Sequence, residues 1–295
     1  MRTNMLCTLL VAVVVVCGCK RSEPQPSSSQ KLDVRREFEA ELRRRQFEFT
    51  RAPDGRYEVR SAALSVSDFT LTVSIENLTR EVERDHDLGA IARFVDRFEQ
   101  LPEAETWDAA RPRLRLSLEP NDYDASTMSG ALYRPTSETT MQVLTRITKT
   151  GDVHWVTNEE LKSWGVTREQ AETIAKDNLD ALLVGTEPEV QQIGMRKIGM
   201  LPIVESASKA SVILAPNFRR FIEPNFGWPV LAVTPCRDFV YVFGKDDFDL
   251  VGKSGKVVLE EFNRSDHPIT TEVWKISDAG VESIGALGDR NPYKR

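Results

Sequence analysis

The pattern of apolar and polar positions divides the chain into an apolar leader, a polar spacer and a long mixed body. Residues 9–16 are all apolar, whereas residues 20–31, KRSEPQPSSSQK, contain no large apolar side chain. From Leu32 onward, apolar residues recur with the spacings typical of helices and strands. This body is long enough to form a sizeable hydrophobic core, either as one large domain or as two lobes.

The first part of the body, residues 32–102, has the pattern of an α+β lobe. Two segments with apolar residues three and four positions apart predict amphipathic helices, and two alternating segments between them predict strands. The predicted helices are Lys31–Phe47 and Glu76–Leu101, and the predicted strands are Tyr57–Ser61 and Thr70–Ile75. We expect the last helix to break near the Asp-His-Asp sequence at residues 85–87.

The second part, residues 103–295, mixes strands and helices. Arg113–Leu118 alternates Arg and Leu and predicts a strand with one solvated face, followed by a long loop, Glu119–Ser137, around a short strand near Tyr133. A hairpin and two helices should follow, the second capped by Thr167 and Gln170, and then further strands and one more helix. The predicted strands are Met141–Thr148, Val153–Val156, Leu201–Val204, Ser211–Leu214, Pro229–Val233, Phe239–Phe243 and Thr270–Ile276. The predicted helices are Glu159–Trp164, Arg168–Leu183 and Val257–Phe262.

This order of elements determines the expected fold class. Strands and helices are mixed without a regular βαβ repeat, which favours an α+β fold over a doubly wound sheet. We therefore expect mixed or antiparallel sheets with flanking helices, arranged in two small lobes.

The leader has the features of an export signal. Arg2 precedes the apolar run, and this run is far shorter than the roughly twenty residues of a spanning helix. Val16-Cys17-Gly18-Cys19 follows and resembles the lipobox of bacterial lipoprotein signals. The sequence thus predicts a signal peptide over residues 1–18, lipid including palmitate on Cys19, and a flexible tether over residues 19–31. The alternative is an ordinary secretory signal in which Cys19 is incidental.

The residue after the cysteine bears on location. Lys20 stands where an Asp would favour retention in the inner membrane. We therefore expect a lipid anchor in the bacterial outer membrane, facing the periplasm. The alternative is the outer leaflet of the cytoplasmic membrane.

Cysteine usage and charge exclude several classes of protein. After removal of the signal and lipidation of Cys19, Cys236 is the one cysteine left in the body, so an internal disulfide and a four-cysteine zinc site are excluded. The formal charge is −6 and becomes one unit more negative when Arg2 leaves with the signal. A mildly acidic body is a poor partner for nucleic acid.

The sequence contains no recognisable metal or cofactor motif. The chain has three histidines, His86, His154 and His267, and none stands in a spacing that would place two imidazoles on one metal ion. Asp152 and His154 would face the same side of a strand, but an ordinary polar hairpin is the preferred interpretation. We therefore expect no metal site and no cofactor.

One short connector combines several polar side chains. Pro235-Cys236-Arg237-Asp238 lies between two predicted strands. In a structural interpretation, the preferred one, Pro presets the turn, Asp accepts backbone hydrogen bonds and Arg is solvated. In a recognition interpretation, Arg237 offers its guanidinium to a carboxylate or phosphate, held by Asp238 with His267 nearby. Arg237, Asp238 and His267 are therefore the candidate binding residues.

Four short motifs, in order over roughly residues 100–280, resemble the uncharacterised YtpQ-like proteins of bacteria (domain of unknown function 1444). They are His154-Trp155-Val156-Thr157, Thr167-Arg168-Glu169-Gln170-Ala171 leading to Asn178-Leu179, Val233-Thr234-Pro235-Cys236-Arg237-Asp238, and His267-Pro268-Ile269-Thr270. The resemblance implies no activity, since none is established for that family. Cytoplasmic members lack a lipoprotein signal, so this chain departs from them at its N-terminus.

Two classes of function remain from the sequence. The preferred one is a non-enzymatic binding or scaffolding module of the cell envelope, which presents loops to another envelope protein or a small ligand. The alternative is an envelope hydrolase or transferase whose site, built from carboxylates or Cys236, forms only in the fold. A deep cleft joining Cys236, Asp238 and His267 would favour the enzyme, and a flat patch would favour a partner.

Overall fold

The computed structural model describes residues 33–61, 71–99, 105–123, 128, 130–148 and 151–288. The predicted signal peptide, Cys19 and the tether lie outside the described residues, as does the predicted lobe boundary near residue 102. The body from Val34 onward forms one compact unit. It has an α+β fold with antiparallel sheets, as the sequence predicts.

The N-terminal part of the body is a three-stranded antiparallel sheet covered by helices. Its elements are α1 (Val34–Arg44), β1 (Phe47–Arg51), β2 (Tyr57–Ser61), β3 (Leu71–Val73), α2 (Glu76–Asp85) and α3 (Gly89–Glu99), and the strand order is β1-β2-β3. Val34, Phe38 and Leu42 recur every four residues along α1 and are all buried. They belong to a hydrophobic cluster whose members all lie between residues 34 and 98. This region therefore has a hydrophobic core of its own.

The predicted break between α2 and α3 is confirmed. His86 adopts a left-handed conformation, with φ of 53°, and its backbone N–H donates to the carbonyl oxygen of Val82. Asp87 then accepts a hydrogen bond from the backbone N–H of Gly89 at 2.8 Å. A left-handed residue cannot continue a right-handed helix, so α2 ends here and a new helix begins.

The central part of the body contains a four-stranded sheet. Its elements are α4 (Trp107–Ala110), β4 (Leu114–Pro120), β5 (Tyr133–Pro135), β6 (Thr140–Ile147), β7 (Val153–Trp155), α5 (Asn158–Trp164) and α6 (Arg168–Leu183). β6 pairs antiparallel with each of the other three strands. Thr167 and Gln170 form the predicted capping box of α6, and Thr157 and Glu160 form a second one on α5.

The C-terminal part contains a six-stranded antiparallel sheet in the order β13-β12-β10-β11-β9-β8. Its elements are β8 (Glu189–Ile193), β9 (Arg196–Met200), α7 (Phe218–Phe226), β10 (Val230–Cys236), β11 (Phe239–Gly244), α8 (Phe248–Arg264), β12 (Glu272–Ser277) and β13 (Gly280–Ala286). Leu231 and Val233 of β10 pack with α8, whereas Val230 and Ala232 belong to the main core. Successive side chains of one strand thus fill two cores, one on each face of the sheet.

Two of the predicted strands are wrong. Leu201–Val204 has no regular structure, and Ala210–Leu214 forms a 3₁₀ helix. Both segments contribute buried apolar residues, so their hydrophobicity reflects core packing and not strand pairing. The hydroxyl of Ser211 accepts a hydrogen bond from the backbone N–H of Leu118 at 2.9 Å. A side chain therefore satisfies a backbone group of β4.

The predicted solvated face of β4 is also wrong. All seven residues of this strand are buried. Arg115 is accommodated because its guanidinium donates to both carboxylate oxygens of Glu205, at 2.8 and 2.9 Å. Alternation of Arg and Leu therefore reflects a strand buried on both faces, in which the charged residue is paired.

Six of the labelled elements have no counterpart in the sequence expectations: β1, α4, α7, β8, β9 and β13. Pro224 lies inside α7, where proline normally argues against a helix. Arg196–Met200 and Glu189–Ile193 are polar for much of their length, and every residue of β8 is exposed. Strands with little burial carry a weak hydrophobic pattern, which explains why they were missed.

Candidate functional site

A buried ion pair lies at the centre of the candidate site. Nη2 of Arg237, in the turn between β10 and β11, donates to Oε2 of Glu119 on β4 at 2.7 Å. The side chain of Glu119 is 1% exposed and that of Arg237 is 13% exposed. Burial lowers the pKa of Arg237, but the Glu119 carboxylate, with a smaller contribution from Tyr123, more than offsets this, so the net pKa is raised. Arg237 therefore stays charged, and its contact with Glu119 joins the four-stranded sheet to the six-stranded sheet.

Two hydroxyl groups complete the environment of the Glu119 carboxylate. Ser117 donates its hydroxyl to Oε1, and the Tyr123 hydroxyl donates to Oε2 at 3.4 Å. Burial, with a smaller contribution from Glu119, raises the pKa of Tyr123, so the phenol stays protonated and can act as a donor. The ring of Tyr123 packs edge-on against Trp155, with centroids 4.8 Å apart. Both carboxylate oxygens therefore have hydrogen-bond donors within the protein.

The backbone of the Pro235–Asp238 turn is held from two sides. The carbonyl oxygen of Pro235 accepts from the N–H of Ile269 at 2.7 Å, and the N–H of Arg237 donates to the carbonyl oxygen of His267 at 3.3 Å. On the other side, the carbonyl oxygen of Arg237 accepts from the N–H of Ala210 at 2.9 Å. The turn is therefore fixed by both the loop after α8 and the 3₁₀ helix.

Cys236 is buried, with 1% of its surface exposed. Its thiol donates to Oδ1 of Asp238 at 3.1 Å. Burial, together with the neighbouring Asp238 carboxylate, raises the pKa of Cys236 to about 12. The thiolate, which is the nucleophilic form, is therefore disfavoured at physiological pH.

His267 connects the turn to the N-terminal part of the body. Its Nδ1 lies 3.4 Å from the side-chain amide nitrogen of Asn77 on α2, and 3.5 Å from Nη1 of Arg237. Both neighbours are donors, so Nδ1 acts as the acceptor of a neutral imidazole. Burial of the imidazole ring and the Arg237 guanidinium lower the pKa of His267.

A salt bridge reinforces this junction. Nη1 of Arg84, near the end of α2, lies 2.7 Å from Oδ2 of Asp266. Asp266 precedes His267, so two consecutive residues of the loop after α8 contact α2. The contacts that join the N-terminal core to the rest of the body at this point are thus polar.

The structure brings together two of the three candidate binding residues. Arg237 and His267 are in contact, but Asp238 accepts from the Cys236 thiol, and Glu119 takes the place expected for it beside Arg237. The structural interpretation of the connector expected Arg237 to be solvated, and this is wrong. The Arg237 side chain is largely buried, and its salt bridge with Glu119 makes that burial possible. Sequence reasoning missed Glu119, which lies 118 residues from Arg237 and in no motif.

His154 and Asp152, the other histidine and aspartate considered as metal ligands, each contact a side chain of the protein. Nε2 of His154 lies 3.1 Å from both carboxylate oxygens of Glu160, and Asp152 pairs with Arg97 at 2.9 Å. Among the described residues, no group of three or more His, Cys, Asp or Glu side chains could hold a metal ion.

Comparisons of the chain with protein-family models, with curated proteins and with solved structures find no match. The resemblance to YtpQ-like proteins therefore stays a prediction. None of the helices in the described part of the chain combines the length and apolar character needed to cross a bilayer.

The burial of the ion pair leads to a prediction about stability. Arg237→Ala leaves the Glu119 carboxylate buried without its cation, and we expect the free energy of unfolding to fall by about 3–5 kcal/mol. Urea titration followed by tryptophan fluorescence measures this quantity. The matched control is Arg219→Ala, which removes an exposed arginine from the salt bridge with Glu223 and should change stability much less. Equal effects of the two substitutions would refute a special role for the buried pair.

Proposed function

We propose that the chain is an exported lipoprotein whose body is a non-enzymatic binding or scaffolding module. Lipid on Cys19 anchors it to the outer membrane, and the body faces the periplasm. Another envelope protein or a small ligand is its partner. The tether over residues 19–31 separates the body from the membrane surface, since its composition cannot form a hydrophobic core.

The observation that carries the non-enzymatic part of the proposal is the state of Cys236. A catalytic cysteine needs an accessible thiol with a lowered pKa. Cys236 has a buried thiol and a raised pKa, and the neighbouring carboxylate disfavours the thiolate further. Arg237 is likewise engaged by Glu119. These contacts argue against the alternative of a hydrolase or transferase that uses Cys236.

The same geometry restricts where a partner can bind near the turn. Arg237 is mostly buried, whereas Asp238 and His267 keep exposed surface. A neutral imidazole and a carboxylate can together offer a hydrogen-bond donor and acceptors. We assign Asp238 and His267 the direct contacts to a partner, and Arg237 the role of holding the turn in place.

The anchor is tested by metabolic labelling with palmitate. We expect label in the wild-type protein and none in Cys19→Ala, whose precursor should remain at full length because the modified cysteine directs cleavage. Cys17→Ala is the matched control, since it removes a neighbouring thiol and leaves Cys19 in place; it should be labelled like wild type. An unlabelled wild-type protein would disprove the lipoprotein proposal, and label retained in Cys19→Ala would place the lipid elsewhere.

The non-enzymatic assignment is tested by the reactivity of Cys236 toward iodoacetamide, read by peptide mass spectrometry. A thiol with a pKa of about 12 is almost fully protonated at pH 8, so the native protein should leave Cys236 unmodified and the urea-unfolded protein should react. Val204→Cys, at a position 97% exposed, is the control and should react in the native state. Modification of native Cys236 at the rate of the control would restore the enzyme alternative.

A further inference from the structure

The N-terminal lobe, described over residues 34–61 and 71–99, has a hydrophobic core that is separate from the cores of the rest of the body. Its buried apolar side chains, which lie between Val34 and Phe98, all belong to one cluster, and the partly buried ones packed against them come from the same lobe. An interface without a shared apolar core allows relative movement of its two sides. Polar contacts therefore decide how firmly the lobe is held.

Two salt bridges cross from the lobe to the rest of the body. Nη1 of Arg84 on α2 lies 2.7 Å from Oδ2 of Asp266, and Nη1 of Arg97 on α3 lies 2.9 Å from Oδ1 of Asp152. The side chains of Arg84, Arg97 and Asp152 are 37%, 51% and 32% exposed, respectively. Salt bridges between side chains with this much solvent exposure stabilise a fold little. These two contacts therefore hold the lobe weakly.

The contact of α2 with His267 is weak as well. Nδ1 of His267 lies 3.4 Å from Nδ2 of Asn77 and 3.5 Å from Nη1 of Arg237. One lone pair is therefore shared by two donors, and both lie beyond the usual hydrogen-bond distance. His267 is also one of the two residues to which we assign the contacts with a partner. Asn77 thus occupies an acceptor that a partner would use.

The salt bridge between Arg84 and Asp266 leaves part of the Asp266 carboxylate unsatisfied. Nε and Nη2 of Arg84 donate to the two carboxylate oxygens of Asp85, at 2.8 and 2.7 Å, so Nη1 is the nitrogen that reaches Asp266. Oδ1 of Asp266 is buried and has no hydrogen-bond partner among the described residues. An arginine from another molecule, with its whole guanidinium available, would donate to both oxygens of Asp266. Such a partner would therefore bind this carboxylate better than α2 does.

The donors of α2 lie on one face of the helix. Asn77 and Arg84 are seven residues apart, which is about two helical turns, whereas Leu78 and Val82 are buried in the core of the lobe. α2 therefore presents an amide and a guanidinium to a neutral imidazole and a carboxylate. A helix that replaces α2 on this surface needs donors with the same spacing, and arginine supplies the strongest ones.

We infer that this contact is autoinhibitory: α2 covers Asp266 and His267, and an arginine-bearing helix of another envelope protein displaces it to bind there. The inference deepens the proposed function, on which it rests, by naming the chemistry of the partner and the way in which its access is controlled. The docked lobe lowers the apparent affinity, because a partner binds only the fraction of molecules in which α2 has moved away.

Binding of a fluorescent peptide, followed by anisotropy with the full mature chain in detergent, tests the inference. The probe is an alanine-rich helical peptide with two arginines spaced like Asn77 and Arg84. Arg84→Ala and Asp266→Ala break the same salt bridge, but the first leaves the acceptor in place and the second removes it. Arg84→Ala should therefore bind the peptide at least about fivefold more tightly than wild type, and Asp266→Ala at least about tenfold more weakly than Arg84→Ala.

Two variants and a second peptide control for the change in charge. Arg93→Ala removes an exposed arginine that pairs with Asp87 inside the lobe, and Asp246→Ala removes an exposed carboxylate just beyond the end of β11. Both variants should bind the peptide like wild type. A peptide with glutamates in place of the arginines should bind to none of the proteins. Equal affinities of Arg84→Ala and Arg93→Ala for the arginine peptide would overturn the inference.

Displacement of α2 is measured separately, from the distance between spin labels on Glu83→Cys and Val204→Cys, two exposed positions in α2 and in the rest of the body. The bound arginine peptide should lengthen and broaden the distance distribution, and an unchanged distribution would overturn the inference. Absence of peptide binding in every variant, with the palmitate label present and Cys236 unreactive, would overturn the inference and leave the proposed function standing. A missing palmitate label with displacement of α2 by the peptide would refute the anchor alone.

Discussion

The buried ion pair between Glu119 and Arg237 is the interaction on which the arrangement of the two larger sheets depends. Removing both charges from water is unfavourable, and the pair is tolerated because Ser117 and Tyr123 supply further hydrogen bonds to the carboxylate. Arg237 can reach Glu119 because its backbone is fixed by His267 and Ala210. The side chain and the main chain of Arg237 thus join β4, the turn after β10 and the loop after α8.

The turn that is fixed by this ion pair also determines the environment of Cys236 and His267, two residues that the sequence suggests as reactive groups. The turn that holds Arg237 also buries Cys236 beside Asp238, which raises the pKa of the thiol. His267, whose carbonyl oxygen holds the turn, has its Nδ1 occupied by Asn77 and Arg237. The network that stabilises the junction therefore also engages Cys236 and His267.

Several local features of the fold were predictable from the sequence, whereas the long-range pairings were not. The four-residue spacing in α1, the break before α3 and the capping box of α6 depend on neighbours in the chain, and each appears as expected. Arg115 on β4 was expected in solvent, because Glu205, which makes its burial possible, lies 90 residues away. In the candidate site, too, the sequence does not indicate a partner that is distant along the chain. The connector at Arg237 was recognised as a tight turn, but nothing near it in the chain indicates Glu119.

The coupling energy between Glu119 and Arg237 tests this account most directly. A double-mutant cycle with Glu119→Gln, Arg237→Met and the double variant, each unfolded in urea, measures it. The account predicts that the double variant is more stable than the sum of the single effects implies, by at least about 1 kcal/mol, because each single substitution leaves one buried charge unpaired. Additive effects would show that the two residues stabilise the fold independently and would contradict the central role of the pair.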